Sequence, residues 1–138
     1  PQAQASRSGA GLEGLRPGRL ILSAPFTSIG AMARALLVSL VPSWLLRLLL
    51  DQHWDNTAWV PLAARSGWQV SIIHGERDEI VPTWMGRALK GMVDDAGFKC
   101  EFVEVKSAGH NDLLSAATHH FYALMGWPAF RRTRGAAL

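Results

Sequence analysis

A second cysteine is missing from this 138-residue chain. Cys100 alone cannot close an internal disulfide or assemble a cysteine-rich zinc site, so a disulfide scaffold and a zinc module are both excluded. Charge is also sparse, at 18% of residues. The net value of +3 comes from a tail holding Arg131, Arg132 and Arg134, and without those three the balance is zero. A nucleic-acid binder concentrates Lys and Arg on one face or helix, so no nucleic-acid partner is expected. No apolar h-region opens the chain, which speaks against secretion and for a cytoplasmic or membrane-peripheral place. No uninterrupted apolar run of about 20 residues occurs either. The longest candidate, residues 29–50, is split by Pro42 and carries Arg34 and Arg47. Each charge near a bilayer centre costs roughly 2.5 to 3.5 kcal/mol, so spanning is not expected, whereas peripheral membrane contact through residues 29–50 and a place over a pocket both stay open. Finally, no Gly-rich phosphate loop joins a strand to a helix, which argues against nucleotide binding.

What remains is apolar, at 49% of residues. That share is too high for a disordered chain and sufficient for one packed domain. Residues 1–18 read as a flexible leader rich in Ser and Gly, residues 19–127 as the domain, and residues 128–138 as a basic tail. Leu20 to Ala24, Gln69 to His74 and Cys100 to Val105 are short apolar runs of the kind that forms buried parallel strands. Between them the apolar period is helical. Residues 29–50 predict two short helices broken at Pro42, the second capped by Ser43, with Trp44, Leu45, Leu48 and Leu49 projecting together as core or as a cap over a pocket. Residues 51–58 read as polar turn, Pro61 to Arg65 as a brief helix, and Thr83 to Ala96 as a helix capped by Thr83. That helix carries Met85, Leu89, Met92, Val93 and Ala96 on one stripe and stops at Gly97. A last helix is predicted over residues 112–127, with Leu113, Ala116, Ala117, His120, Phe121 and Leu124 inward. Strand alternating with helix predicts an α/β fold of about three parallel strands with crossover helices.

In an open parallel sheet, reacting groups gather past the carboxyl ends of the strands. Those loops read Ser23-Ala24-Pro25-Phe26-Thr27-Ser28, then His74-Gly75-Glu76-Arg77-Asp78-Glu79-Ile80-Val81-Pro82, then Ser107-Ala108-Gly109-His110-Asn111-Asp112. A carboxylate past one strand and a histidine past the next are two members of a nucleophile, base and acid triad, in the order acid then histidine. The 32 positions from Asp78 to His110 hold one helix and one strand, which returns both loops to the same sheet edge.

Over residues 19–127 the sequence resembles the α/β-hydrolase family. HGERDEIVP looks like its acid loop, AGHND like its histidine loop, and LILSAPFTSI like the strand and loop before its variable cap. The resemblance implies the C-terminal part of an α/β-hydrolase fold, with a short helical cap insert at 29–58. It makes Asp78 the triad acid and His110 the general base. The AGHND ending and the apolar insert with its Pro and Trp are most similar to the bud-emergence (Bem-like), serine-aminopeptidase-like subgroup, whose members mostly hydrolyse esters or thioesters. A serine hydrolase of a small or lipid-like ester, thioester or amide is the expectation, with no cofactor.

The family's Gly-x-Ser-x-Gly nucleophile elbow, with its oxyanion-hole donors, has no match in these residues. Ser8 has Ser6 and Ala10 where the glycines belong, and no apolar strand precedes it. The chain therefore reads as the half that supplies acid and histidine, inactive alone and partnered by an N-terminal half. The alternative is a non-catalytic fragment or pseudoenzyme that binds or self-associates through the open edge of the Leu20 to Ala24 strand.

Around the main pair, Glu76 and Glu79 are substitute acids, and Asp112 is expected to cap the last helix. His74, His119 and His120 are expected to be structural. Phe26 and Thr27 are candidate substrate-pocket residues. Asp51, His53 and Asp55 alternate as metal ligands can, but without a fourth ligand they read as turn and capping residues, so no metal is expected. Cys100 reads as a small buried hydrophobe.

Overall fold

A computed structural model describes residues 17–37 and 54–126. Three strands, β1 (Arg19–Ser23), β2 (Gln69–Gly75) and β3 (Cys100–Val105), form a parallel sheet in the order β1-β2-β3. Ser23 lies beside Ile73 in one pair, and Gly75 beside Val105 in the other, so all three strands end at one edge. The helices are α1 (Ile29–Leu37), α2 (Asn56–Arg65), α3 (Thr83–Asp95), α4 (Leu113–Ala116) and α5 (Thr118–Leu124).

Side chains alternate across a strand, and this sheet uses both faces. Leu22, Val70, Ile72, Cys100 and Phe102 pack with Val60 and Ala64 of α2 and with Leu89 and Val93 of α3. Ile21, Ile73, Val103 and Val105 pack on the other side with Leu113, Ala117, Phe121 and Leu124. The sheet steps the same way at each crossover, so crossovers of one hand place α2 and α3 on one face, as found. The result is a three-layer α/β fold. The central strand is buried from Val70 to Gly75. Both faces of β2 are therefore dry, which explains why it reads as a continuous apolar run ending in His74 and Gly75.

Several local expectations are corrected. β1 runs one residue earlier than expected, because Ala24 leaves extended geometry at φ 45°. Residues 56–58 are helix, not turn: α2 begins at Asn56 because the Asp55 carboxylate accepts the Thr57 N–H at 2.9 Å. Pro61 sits inside that helix, where the carbonyl it leaves without a donor is that of Thr57 in the first turn. Thr83 does not cap α3. Pro82 holds the cap position, and the Thr83 hydroxyl donates to the Gly75 carbonyl at 2.7 Å. Met92 is 37% exposed, off the stripe formed by Met85, Leu89 and Val93. The last helix is two, broken at Ala117 (φ −100°, ψ 8°), where the Thr118 hydroxyl donates to the carbonyls of Leu114 and Ser115. Such side-chain donation competes with the backbone ladder and bends it. Ala116 is exposed and His120 only half-buried.

α1 starts where the sequence expected, with the Ser28 hydroxyl accepting the Ala31 N–H at 3.1 Å. Ser28 also bridges Asp55, so the chain leaves and rejoins the fold at one point past the end of β1. The second helix expected before Leu50, its Ser43 cap and the Trp44, Leu45, Leu48 and Leu49 cluster fall outside the described residues, as do the leader up to residue 16, residue 127 and the tail at 128–138. Among the described residues, no helix is long and apolar enough to cross a membrane.

Candidate active site

Two neighbouring strands end level, and each is followed by a tight turn. The turn after β2 is laced to the turn after β3: Glu76 N–H donates to Val105 O at 3.0 Å, and Arg77 N–H to Ala108 O at 2.9 Å. The Glu76 carboxylate accepts the Ser107 N–H at 3.3 Å. Gly75 makes this closeness feasible. A Cβ there would stand 2.4 Å from the Ala108 carbonyl oxygen and 2.9 Å from that of Gly109.

This lacing brings Asp78 and His110 together, with His110 Nδ1 2.8 Å from Asp78 Oδ2. The Asp78 side chain is fully buried, while that of His110 is one-third exposed, at 33%. An unpaired buried carboxylate would be costly, and this one is surrounded by donors. Its Oδ1 accepts the backbone N–H groups of Ile80 at 3.0 Å and Val81 at 2.7 Å. Its Oδ2 faces His110 and, at 3.6 Å, His74 Nε2. A carboxylate oxygen with this surrounding is an acceptor, so His110 carries its proton on Nδ1. Nε2 is left as the basic atom, without a hydrogen-bond partner among the described residues. His110 opens onto a cleft of about 440 Å³ that Arg77, Glu79, Ile80, Ser107 and Asn111 also line.

The other candidates divide. Glu76 is exposed and holds the Ser107 backbone, and Glu79 stands on the cleft wall; among the described residues the carboxylate bonded to His110 is that of Asp78, not either of these. Asp112 occupies the cap position of α4, but its carboxylate accepts the Gly109 N–H at 2.7 Å and thereby braces the histidine turn. The His119 and His120 rings lie 3.9 Å apart on α5, tilted by 40°. Phe26 is half-buried and Thr27 buried, and their carbonyls accept from the side chain and backbone of Asn56, both at 2.8 Å. Neither lines the cleft beside His110. Asp51 and His53 lie outside the described residues, and Asp55 is engaged as the α2 cap. No cluster of three or more His, Cys, Asp or Glu side chains suited to a metal occurs among the described residues. Cys100 is buried, and burial pushes its thiol up to about 11.

Sequence reasoning gave His74 a structural part and missed its closeness to the acid. The ring is fully buried at the end of β2. Its strand position, level with the acid turn, was the available signal. Gly75 and the Thr83 hydroxyl were also missed, because both act through backbone carbonyls that no motif displays.

No family model matches the chain, and no curated protein matches it. A solved structure described as a truncated form of a carbohydrate esterase from gut microbiota is similar at 32% identity and a TM-score of 0.39. The match covers 43% of this chain and 20% of that one, so the likeness spans about a fifth of the esterase's length. These comparisons lend no support to the narrower bud-emergence-like assignment.

Proposed function

We propose that this chain supplies the acid and the general base of a Ser-His-Asp hydrolase of the α/β-hydrolase type, with a serine nucleophile contributed from outside these 138 residues. The observation that carries the reading is the 2.8 Å contact between His110 Nδ1 and the buried Asp78 carboxylate, which leaves His110 Nε2 free at the cleft. In that reaction His110 Nε2 takes the proton of the attacking serine hydroxyl as its oxygen bonds to the substrate carbonyl. Asp78 holds the ring in the tautomer that can accept and balances the imidazolium that forms. The same proton then passes to the departing alcohol, thiol or amine, and water repeats the cycle to release the acid.

The substrate class this chemistry serves is an ester, thioester or amide. Phe26, Thr27 and the 29–50 segment are the proposed contacts for its acyl part, the latter also for a lipid surface. Among the described residues β1 has no neighbour on its outer side, which gives a strand of the nucleophile-bearing half a place to pair. If no such half exists, that same edge favours the second reading, a binding module without catalysis.

The test is hydrolysis of an activated acyl ester by this chain extended upstream through a Gly-x-Ser-x-Gly segment, beside its His110→Gln variant. The reading expects turnover in the parent and a fall on the order of 10³-fold or more in the variant. Equal turnover by both would refute it.

A further inference from the structure

We propose that His74 is a positioning residue for the Asp78–His110 pair, a role that takes its catalytic meaning from the hydrolase reading above. His74 is the last side chain that β2 sends to the α3 face, after Val70 and Ile72, and it is fully buried. Its Nε2 lies 2.9 Å from the Val81 carbonyl oxygen and 3.6 Å from Asp78 Oδ2. Both are acceptors, so Nε2 carries a proton and donates it to Val81. The Val81 N–H in turn donates to Asp78 Oδ1 at 2.7 Å. Residue 81 is thus held through both backbone groups, its carbonyl by His74 and its N–H by Asp78. The turn that wraps the carboxylate is pinned to the central strand of the sheet.

The other ring nitrogen points to the same conclusion. Among the described residues Nδ1 has no hydrogen-bond partner. It faces Gly86 of α3, where a Cβ would come within 2.6 Å of it. An orphaned buried polar atom is destabilising, a cost that an apolar side chain filling the same space would not carry. What the imidazole offers in return is the single donor aimed at the acid turn. Gly86 supplies the room that lets the ring stand there.

The readout is the ring N–H proton of His110, observed by nitrogen-edited NMR in the 138-residue chain at a dilution where sedimentation shows one species. Held against the carboxylate, this proton exchanges slowly with water. In His74→Leu the signal is expected to vanish or to exchange at least ten-fold faster, while circular dichroism still reports a folded chain. In His74→Gln, whose amide nitrogen reaches the place of Nε2, it is expected to return. Should the leucine variant not fold, the comparison of His74→Gln with His74→Asn decides, since the asparagine amide reaches only the place of Nδ1. Retention in the glutamine variant and loss in the asparagine variant support the proposal. An unchanged signal in His74→Leu or His74→Asn, or its loss in a folded His74→Gln, overturns it. No nucleophile enters this measurement, so its failure and a failure of the hydrolase reading are told apart.

Discussion

Replacing Gly75 with alanine adds one methyl group and should separate the two halves of the site. Gly75 does not adopt a positive φ, so the requirement for glycine is one of space. The new Cβ would meet the Ala108 carbonyl oxygen at 2.4 Å and the Gly109 carbonyl oxygen at 2.9 Å, and both are backbone atoms that cannot rotate away. Ordinary contact lies near 3.4 Å, so the histidine turn must retreat by about 1 Å from the strand that carries the acid. A shift of that size stretches the Arg77 to Ala108 hydrogen bond, now 2.9 Å, and the Asp78–His110 contact, now 2.8 Å, beyond useful length. Overpacking costs about 1–3 kcal/mol and each of the two lost hydrogen bonds about 1 kcal/mol, so the sum is about 3–5 kcal/mol. At about 4 °C per kcal/mol for a domain of this size, the melting temperature should fall by about 12–20 °C. Urea denaturation followed by circular dichroism measures the free energy, and the His110 ring N–H resonance reports the site. A variant that melts within about 1 °C of the parent and keeps that resonance would show that the two turns do not need the space left at Gly75.

Three further outcomes follow from the structure. The Cys100 thiol, raised by burial to about 11, should react with a disulfide reagent at pH 8 about 100-fold slower in the native chain than in urea; equal rates would show that the strand is open. Burial, and then the neighbouring His119, holds His120 below the ordinary imidazole value of 6.5, so the folded chain binds fewer protons there than the unfolded one. Its contribution to stability is complete above that value and is lost as pH falls through the lowered folded one, so His120→Gln should flatten the stability curve below about pH 6.5, and an unchanged slope would count against it. Lys90 and Asp94 form an exposed ion pair on α3, and Lys90→Ala should leave the urea-denaturation midpoint almost unchanged, with a clear fall assigning the pair a role that exposure does not suggest.

The sheet was legible because parallel strands buried on both faces are written as unbroken apolar runs, and β3 appears with the bounds its sequence implied. The acid and histidine turns were legible because each follows such a run directly. Features set by one side chain acting on a distant backbone group were not. Asp55 converts an apparently polar turn into the first turn of α2, and Thr118 breaks an apparently continuous helix by donating to the carbonyls before it. Met92 matched the apolar period of α3, yet lies at the margin of its stripe, because a period of 3.6 leaves the outermost apolar position outside the packed face. His74 could be placed on a strand end, but its tie to Val81 depends on space left by Gly86 on another element, which no local pattern records.

The proposed role of His110, held by Asp78, is to serve a serine from outside this sequence. Fluorophosphonate labelling, with the modified peptide mapped by mass spectrometry, probes that role on this chain and on a version extended upstream. No label is expected on the shorter chain, one labelled serine upstream of Pro1 in the longer, and labelling slowed on the order of 10³-fold or more by His110→Gln or Asp78→Asn. A label on Ser107, which lines the cleft with His110, or on any other serine of the 138 residues, would contradict it, as would labelling that persists unchanged in both variants.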